Sequence, residues 1–219
     1  VMLAEGGVVA SAAPATIVID SSTNTPAMAR EVALAAAARG LAYLDAPVSG
    51  SVPQSRNREL VFMAGGDAAA FEAVRPLLDA MGRMALHVGA SGAGATIKLV
   101  NNMLAGTMTA ALAEAVSIAQ AAGVDPQAAQ AILSEGPVAS RLVRSKLPKM
   151  LGRDFSAQFQ LALMDKDLRY FLALAQQLDR PAPIASLVRG QFQAARRAGF
   201  GTLDTSALVA HIGGEAPPH

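Results

Sequence analysis

Lys98 and Asn102 are the residues whose types and spacing point most directly to chemistry. They lie four residues apart at the start of a long apolar stretch, so a helix would place an ammonium group and a carboxamide on one face. Lysine has an ordinary pKa of about 10.4, and burial lowers it towards the range of a working proton donor and acceptor. The alternative is a lysine that follows the helix end and keeps its charge in water. The neighbouring Asn101 fits a structural role.

Small hydroxyl residues follow the first predicted strand. Residues 16–20 form a short β-branched run, and Ser22 and Thr23 come directly after it. Ligands of open α/β sheets bind at the carboxyl ends of parallel strands, where such hydroxyls can hydrogen-bond a ribose or a carboxamide. The simpler interpretation is a cap for the helix that begins near Pro26.

A loop of small residues follows the second predicted strand and reads Asp45-Ala46-Pro47-Val48-Ser49-Gly50. Consecutive backbone N–H groups in such a loop form a concave anion site that suits a carboxylate, and Ser49 adds a hydroxyl donor. Further along, Arg56 and Arg58 either add positive charge to this site or remain solvated.

The composition excludes several classes of function. The 219 residues are 52% hydrophobic and carry a net charge of +1, so no nucleic acid or membrane surface is predicted as a partner. The absence of Cys excludes disulfides and thiolate chemistry. Because His87, His211 and His219 are far apart in the sequence, no metal site is predicted. No apolar run reaches the roughly 18 residues of a membrane span, and no signal peptide is evident, which predicts a cytoplasmic protein.

The pattern of elements changes near residue 92. Before it, strands (16–20, 41–50, 60–64 and 86–88) alternate with helices (26–39 and 68–81), which indicates an α/β layer with partly parallel strands. After it, the sequence predicts helices only (94–122, 126–134, 140–150, 164–178, 183–198 and 205–212). The first of these is apolar nearly all round and spans roughly 40 Å. It is predicted to be buried, either through the middle of a domain or against another subunit.

Three motifs resemble those of the β-hydroxyacid dehydrogenases, the family of 3-hydroxyisobutyrate dehydrogenase, tartronate semialdehyde reductase and glyoxylate reductase, with 6-phosphogluconate dehydrogenase as a related protein. They are Gly92-x-Gly94-x-x-x-Lys98-x-x-Asn101-Asn102, the Asp45–Gly50 stretch, and Phe159 followed by Met164-Asp165-Lys166-Asp167-Leu168. The resemblance implies the C-terminal portion of a Rossmann-type domain (residues 1–92), then an all-helical domain (93–219) that includes the long interdomain helix.

The resemblance also implies roles for individual residues. The reaction would be hydride transfer between NAD or NADP and a small hydroxy acid or semialdehyde, in a homodimer or homotetramer. Lys98 would be the catalytic proton donor and acceptor. The substrate-binding residues would be Ser49, Gly50, Ser51, Asn102 and Phe159, and the cofactor-binding residues would be Ser22, Thr23, Lys166 and Asp167.

The sequence departs from the family pattern in two places. Ser51, Pro53 and Arg58 stand where the family usually has glycine, which alters the substrate loop. The Gly-x-Gly-x-x-Gly fingerprint of dinucleotide binding is absent, because the resemblance begins in mid-domain at residue 1. We therefore expect an upstream part to be missing, and the 219-residue polypeptide not to turn over alone.

Two alternatives remain open at this stage. A non-catalytic binding or oligomerisation module would explain the missing fingerprint and the altered loop, although the retained Lys98 and Asn102 argue against it. An imine reductase would share the architecture, but such enzymes usually replace the lysine.

Overall fold

The computed structural model describes residues 1–217, which form two compact units. The first unit is Val1–Asn101, and the second starts at Asn102, so the division falls within one long helix. The predicted domains, residues 1–92 and 93–219, assign that whole helix to the second domain and stay a prediction.

The first unit alternates strands and helices. In chain order the elements are α1 (Val8–Ser11), β1 (Ile17–Asp20), α2 (Pro26–Ala37), β2 (Ala42–Asp45), β3 (Val48–Ser49), α3 (Val52–Arg56), β4 (Leu60–Gly66), α4 (Ala68–Met81), β5 (Gly82–Gly89) and the beginning of α5 (Ala93–Ala121).

The five strands form one mixed sheet. β1 pairs with β2 in parallel and β4 pairs with β5 in parallel, while β4 runs antiparallel to both β2 and β3. The last pair of the β1–β2 register joins Asp20 to Asp45, so these two acidic residues end neighbouring strands. The predicted α/β layer with partly parallel strands, followed by helices, is confirmed.

Helices cover both faces of the sheet. Alternate residues of a strand point to opposite faces. Accordingly, Val18 packs with α2 in one hydrophobic cluster, whereas Ile17 and Ile19 pack against a second cluster that contains Phe71 and Leu78 of α4. Two of these helices are capped locally, α2 by Thr25 and α4 by Asp67.

Helix α5 agrees closely with its predicted range of 94–122. Leu99 and Ala113 are fully buried, whereas Leu104 and Ile118 are 56% and 63% exposed. The chain itself therefore buries one side of this helix, and burial of the other side against another subunit stays a prediction. Apolar residues occupy more than one stripe of this helix, and the rest of the chain covers only part of that apolar surface.

The second unit is helical. After α5 come α6 (Pro126–Glu135), α7 (Arg141–Leu151), α8 (Leu161–Gln177) and α9 (Pro183–Ala195), then a π-helical segment (Arg196–Phe200), a 3₁₀ turn (Thr205–Ala207) and α10 (Leu208–Ile212). One hydrophobic cluster holds these elements together, with Leu147, Leu168, Phe192 and Leu208 completely buried at its centre.

Some elements differ from prediction in extent. Helix α3 was expected to be loop, β5 begins four residues before its predicted start at residue 86, and α8 begins three residues before residue 164. Within residues 1–217, no helix has the combination of length and hydropathy needed to cross a membrane.

Two glycines in helices should respond oppositely to alanine. Gly190 lies inside α9 with no atom within 4 Å of an added Cβ, so Gly190→Ala should raise the free energy of unfolding by about 0.5–1 kcal/mol through lower backbone entropy of the unfolded chain. At Gly94 the added Cβ would lie 2.1 Å from the Asp45 carbonyl oxygen, so Gly94→Ala should lower that free energy. Urea unfolding monitored by circular dichroism measures the free energy of unfolding of both variants. A loss of stability in Gly190→Ala would contradict the prediction.

Candidate active site

A buried carboxylate shapes the Ser22–Thr23 loop at the end of β1. Asp20 is 5% exposed; its Oδ1 accepts a hydrogen bond from the Ser22 backbone N–H at 2.9 Å, and its Oδ2 accepts from the Tyr43 hydroxyl at 3.0 Å and from Asn24 Nδ2 at 3.4 Å. Burial, and next the negative charge of Asp20, raise the pKa of Tyr43 far above 10.0, so this phenol stays protonated and donates. The loop presents an exposed Ser22 and a half-buried Thr23.

The predicted carboxylate loop follows β3. Gly50 has a φ of +128°, and an added Cβ would lie 2.9 Å from Leu60 Cδ2, so the position requires glycine for both conformation and space. Ser49 is half-buried at the end of the strand. The Ser51 backbone N–H and hydroxyl both donate to Gln54 Oε1 at 3.0 Å, which orders the start of α3. The Ser51 hydroxyl is thus engaged within the loop, and its predicted contact with substrate stays a prediction.

Lys98 lies half-buried near the start of α5, just after a close contact between this helix and the sheet. The side chain of Asp45 accepts hydrogen bonds from two backbone N–H groups, Gly92 to Oδ1 and Ala95 to Oδ2, each at 2.8 Å. Burial raises the pKa of Asp45, and these two hydrogen bonds act in the opposite direction. The carboxylate therefore caps the helix that carries Lys98.

Three residues predicted from two separate motifs meet in the second unit. Asn102 Nδ2 donates to Asp167 Oδ2 at 2.6 Å, and Lys166 Nζ lies 3.2 Å from Asp167 Oδ1. Asn102 and Asp167 are 5% and 2% exposed, whereas the Lys166 side chain is 31% exposed and its ammonium lies 5.2 Å from the centre of the Tyr170 ring. The carboxylate of Asp167 thus orients an amide and an ammonium together.

Phe159 is positioned through its backbone by Asp204, a completely buried residue. Asp204 Oδ2 accepts from the backbone N–H groups of Gln158 and Phe159 at 3.0 Å, and Oδ1 accepts from Lys146 Nζ at 2.6 Å and from Ser206 N–H at 3.0 Å. Burial alone would raise the pKa of Asp204, but the hydrogen bond and charge of Lys146 and the backbone donors outweigh it, and the pKa lies below 3.8.

Two structurally important residues were missed from the sequence, Asp45 and Asp204. Asp204 had a local signal, because an aspartate just before a predicted helix at residue 205 is a typical N-cap. Asp45 lay inside a recognised motif, but its partners are 47 and 50 residues away, so no local spacing indicated its role.

The predicted site residues are divided between the two units. Ser22, Thr23, Ser49, Gly50, Ser51 and Lys98 belong to the first unit, and Asn102, Phe159, Lys166 and Asp167 belong to the second. Helix α5 carries Lys98 and Asn102 on either side of the division. In residues 1–217, no cluster of three or more His, Cys, Asp or Glu side chains could hold a metal ion, and His219 lies outside the described residues.

Comparison with known proteins accounts for nearly all of the sequence. Residues 1–89 match a family model described as the NAD binding domain of 6-phosphogluconate dehydrogenase. Residues 92–212 match one described as NAD-binding of NADP-dependent 3-hydroxyisobutyrate dehydrogenase. The chain belongs to the β-hydroxyacid dehydrogenase family.

Individual members of the family are similar along most of this chain. A 2-(hydroxymethyl)glutarate dehydrogenase of Eubacterium barkeri is 33% identical over 95% of the chain and 70% of its own length. A 3-hydroxyisobutyrate dehydrogenase of Pseudomonas aeruginosa is 40% identical over 87% of the chain and 66% of its own length. The crystal structure of a 3-hydroxyisobutyrate dehydrogenase from Salmonella typhimurium has a TM-score of 0.88 at 32% identity, covering 94% of the chain and 72% of the other.

These matches confirm the predicted family, the class of oxidoreductase, and a nicotinamide dinucleotide, NAD or NADP, as its cofactor. Ser22 and Thr23 lie at the carboxyl end of the parallel strand β1, the edge at which open α/β sheets bind ligands, and Asp20 fixes the conformation of their loop. Their contact with the cofactor stays a prediction.

Removing the charge of Asp204 should destabilise the second unit in a pH-dependent manner. The pKa of Asp204 is lower in the folded protein than its ordinary value of 3.8, so its ionised form stabilises the folded state at pH values above 3.8. This contribution to stability is fully present at pH 7 and is lost as the pH falls through the pKa of the folded protein. Asp204→Asn should cost about 3 kcal/mol at pH 7 by breaking a buried ion pair, and clearly less near pH 2. Guanidinium unfolding at both pH values measures this, with the exposed Asp79→Asn as control. An equal cost at the two pH values would contradict the assignment.

Proposed function

We propose that the protein transfers hydride between NAD or NADP and a small β-hydroxy acid or the corresponding semialdehyde. The contact that carries this proposal is the 2.6 Å hydrogen bond from Asn102 to Asp167, with Lys166 on the other carboxylate oxygen. Asn102 comes from the lysine-asparagine motif and the other two come from the Lys-Asp-Leu motif. A buried carboxylate that joins both motifs is expected of a site that still functions. Buried polar groups are costly to stability, so a site without function would be free to lose them.

Lys98 is proposed as the proton donor and acceptor. The bound nicotinamide supplies or accepts the hydride. During reduction, hydride adds to the carbonyl carbon, the carbonyl electron pair moves to oxygen, and Lys98 Nζ transfers a proton to that oxygen. During oxidation, Lys98 takes the hydroxyl proton while the hydride leaves the carbon. Half-burial supports this role, because the residue is partly withdrawn from water without being closed off from it.

The remaining residues are proposed to hold the substrate and the cofactor. The backbone N–H groups around Ser49 and Gly50, with the Ser49 hydroxyl, would bind the substrate carboxylate. Asn102 would hold the reacting oxygen, with its amide fixed by Asp167. Ser22 and Thr23 would hydrogen-bond the nicotinamide side of the cofactor, and Lys166 would also contact the cofactor.

The names of two relatives suggest a class of substrate. 3-Hydroxyisobutyrate and 2-(hydroxymethyl)glutarate, named in two of them, both carry a hydroxymethyl group on the carbon next to a carboxylate. We infer that this protein acts on a substrate with the same relation between hydroxyl and carboxylate. Ser51 and Pro53 stand where the family usually has glycine, and they begin helix α3, which favours a substrate different in size or shape from those of relatives with glycines there.

The alternatives predict different behaviour. A non-catalytic module of this fold would bind nicotinamide dinucleotides without turnover, and an imine reductase would act without a lysine at this position. The half-buried Lys98 favours the dehydrogenase over both.

We further propose that the protein is a cytoplasmic homodimer or homotetramer. On the second-unit part of α5, Leu104, Met108 and Ile118 are exposed apolar residues that share one side with Ala111 and Ala115. Their spacing of three and four residues forms a stripe along the helix that a second copy of the chain would cover.

Replacement of Lys98 tests the proposed chemistry. In the protein expressed from its complete gene, Lys98→Ala should lower kcat by about a hundredfold to ten-thousandfold, since a positioned proton donor contributes that much. The dissociation constant for NAD or NADP should not change. Steady-state absorbance of NADH or NADPH with three- to five-carbon β-hydroxy acids measures turnover, and fluorescence titration measures cofactor binding.

The neighbouring Asn101→Ala is the control for Lys98→Ala and should retain turnover within about threefold, because the role predicted for Asn101 is structural and not in the site. Undiminished turnover in Lys98→Ala, or wild-type protein that binds cofactor but turns over no hydroxy acid or semialdehyde, would contradict the proposed function.

Charge on the exposed stripe should weaken self-association. Ile118 is 63% exposed, and Ile118→Asp would place a charge within the proposed apolar interface, where an unpaired charge is costly. Analytical ultracentrifugation should show a lower oligomeric state for this variant. Leu34→Asp, which changes a 75% exposed residue of α2, is the matched control and should keep the wild-type state. A monomeric wild type, or an Ile118→Asp variant that still associates fully, would contradict the proposal.

A further inference from the structure

The cap on helix α5 is unusual because it comes from a distant strand. The caps of α2, α4, α6 and α7 each come from the residue just before the helix, which accepts from a backbone N–H three residues on. For α5, both oxygens of Asp45 accept from N–H groups 47 and 50 residues later. A local cap stabilises its own helix, whereas this one also fixes where the helix starts relative to the sheet.

Glycines make the contact between α5 and the strand unusually close. A Cβ at Gly94 would lie 2.1 Å from the Asp45 carbonyl oxygen, and a Cβ at Gly65 would lie 2.7 Å from Asp45 Oδ1. The helix backbone therefore lies directly on the end of β2 with no side chain between them. Because Asp45 is 3% exposed, water cannot replace its two hydrogen bonds.

Asp45 stands between two segments of the proposed site. Lys98 follows Ala95 by three residues and Gly94 by four, so it lies one helical turn beyond the capped backbone. In the other direction, β2 continues through Pro47 into Val48–Ser49 and Gly50. A displacement at Asp45 would move the helix that carries the ammonium relative to the loop proposed to bind the carboxylate.

We propose that Asp45 is a positioning residue, whose carboxylate sets the location of Lys98 relative to the Ser49–Gly50 loop. The inference rests on the proposed function for the role of Lys98, but the contact itself can be tested without turnover. Asp45 touches neither proton nor hydride; it acts through the first turn of α5.

The test compares Asp45→Ala and Asp45→Asn with Asp67→Ala in the protein expressed from its complete gene. Asp67 is the matched control because it caps α4 in the same unit with a 2.8 Å hydrogen bond to the Ala70 N–H, yet α4 carries no proposed site residue. Asp45→Asn keeps one acceptor oxygen, and it replaces Asp45→Ala in the comparison if Asp45→Ala does not fold. Thermal melts, steady-state kinetics and backbone hydrogen exchange by mass spectrometry are measured for each protein.

Four results are expected. Asp45→Ala should lower kcat by about a hundredfold, because a shift of about 1 Å at a catalytic group has an effect of that order, while KM changes much less. Asp45→Asn should show an intermediate loss. Peptides that cover residues 92–98 should lose exchange protection in the Asp45 variants only, and Asp67→Ala should lower the melting temperature with kcat close to wild type.

The proposal would be overturned by unchanged protection of residues 92–98 in the Asp45 variants, or by a kcat no lower than that of Asp67→Ala. If wild-type protein shows no turnover, the proposed function fails. The exchange measurement then decides alone whether Asp45 fixes this turn, so the two failures are distinguishable.

Discussion

The first N–H groups of helix α5 must find hydrogen-bond acceptors inside the protein, and much of the first unit follows from this requirement. A helix leaves four such donors without intrahelical partners, and a buried start cannot use water. Asp45 accepts from two of them, which requires that the helix approach the end of β2 closely. The approach in turn requires glycine at Gly65 and Gly94, where any side chain would collide with Asp45. Residues from three separate segments are thus tied to one contact.

The second unit uses the same physical device at Asp167 and Asp204. Asp167 and Asp204 are buried carboxylates, and burial of a charge is tolerated only where donors surround it. The donors of Asp167 are the side chains of Asn102 and Lys166, and those of Asp204 include Lys146 and the backbone before α8. Each carboxylate therefore fixes segments that are distant in sequence, which contributes to the order of the proposed site.

Local patterns predicted much of this fold, and contacts over long sequence distances account for what they missed. Helix α5 was predicted almost to the residue, because glycines precede it and no proline interrupts it. Helix α3 was missed, since it depends on Gln54 returning to Ser51 in a stretch with few apolar residues. The motifs supplied Lys98, Asn102 and Asp167, but not the hydrogen bond that joins the last two. Periodicity also could not tell whether the apolar side of α5 meets its own chain or another.

Helix α3 has a consequence for how the neighbouring loop receives a ligand. Gln54 accepts from both the amide and the hydroxyl of Ser51, and Pro53 restricts the backbone between them. A stretch of glycines would sample many conformations before binding and would lose that freedom on contact. Here the freedom is already absent in the free protein, so association has less entropy to overcome. The same stiffness limits adaptation, and the protein should accept a narrower range of molecular shapes than a relative with a glycine-rich loop.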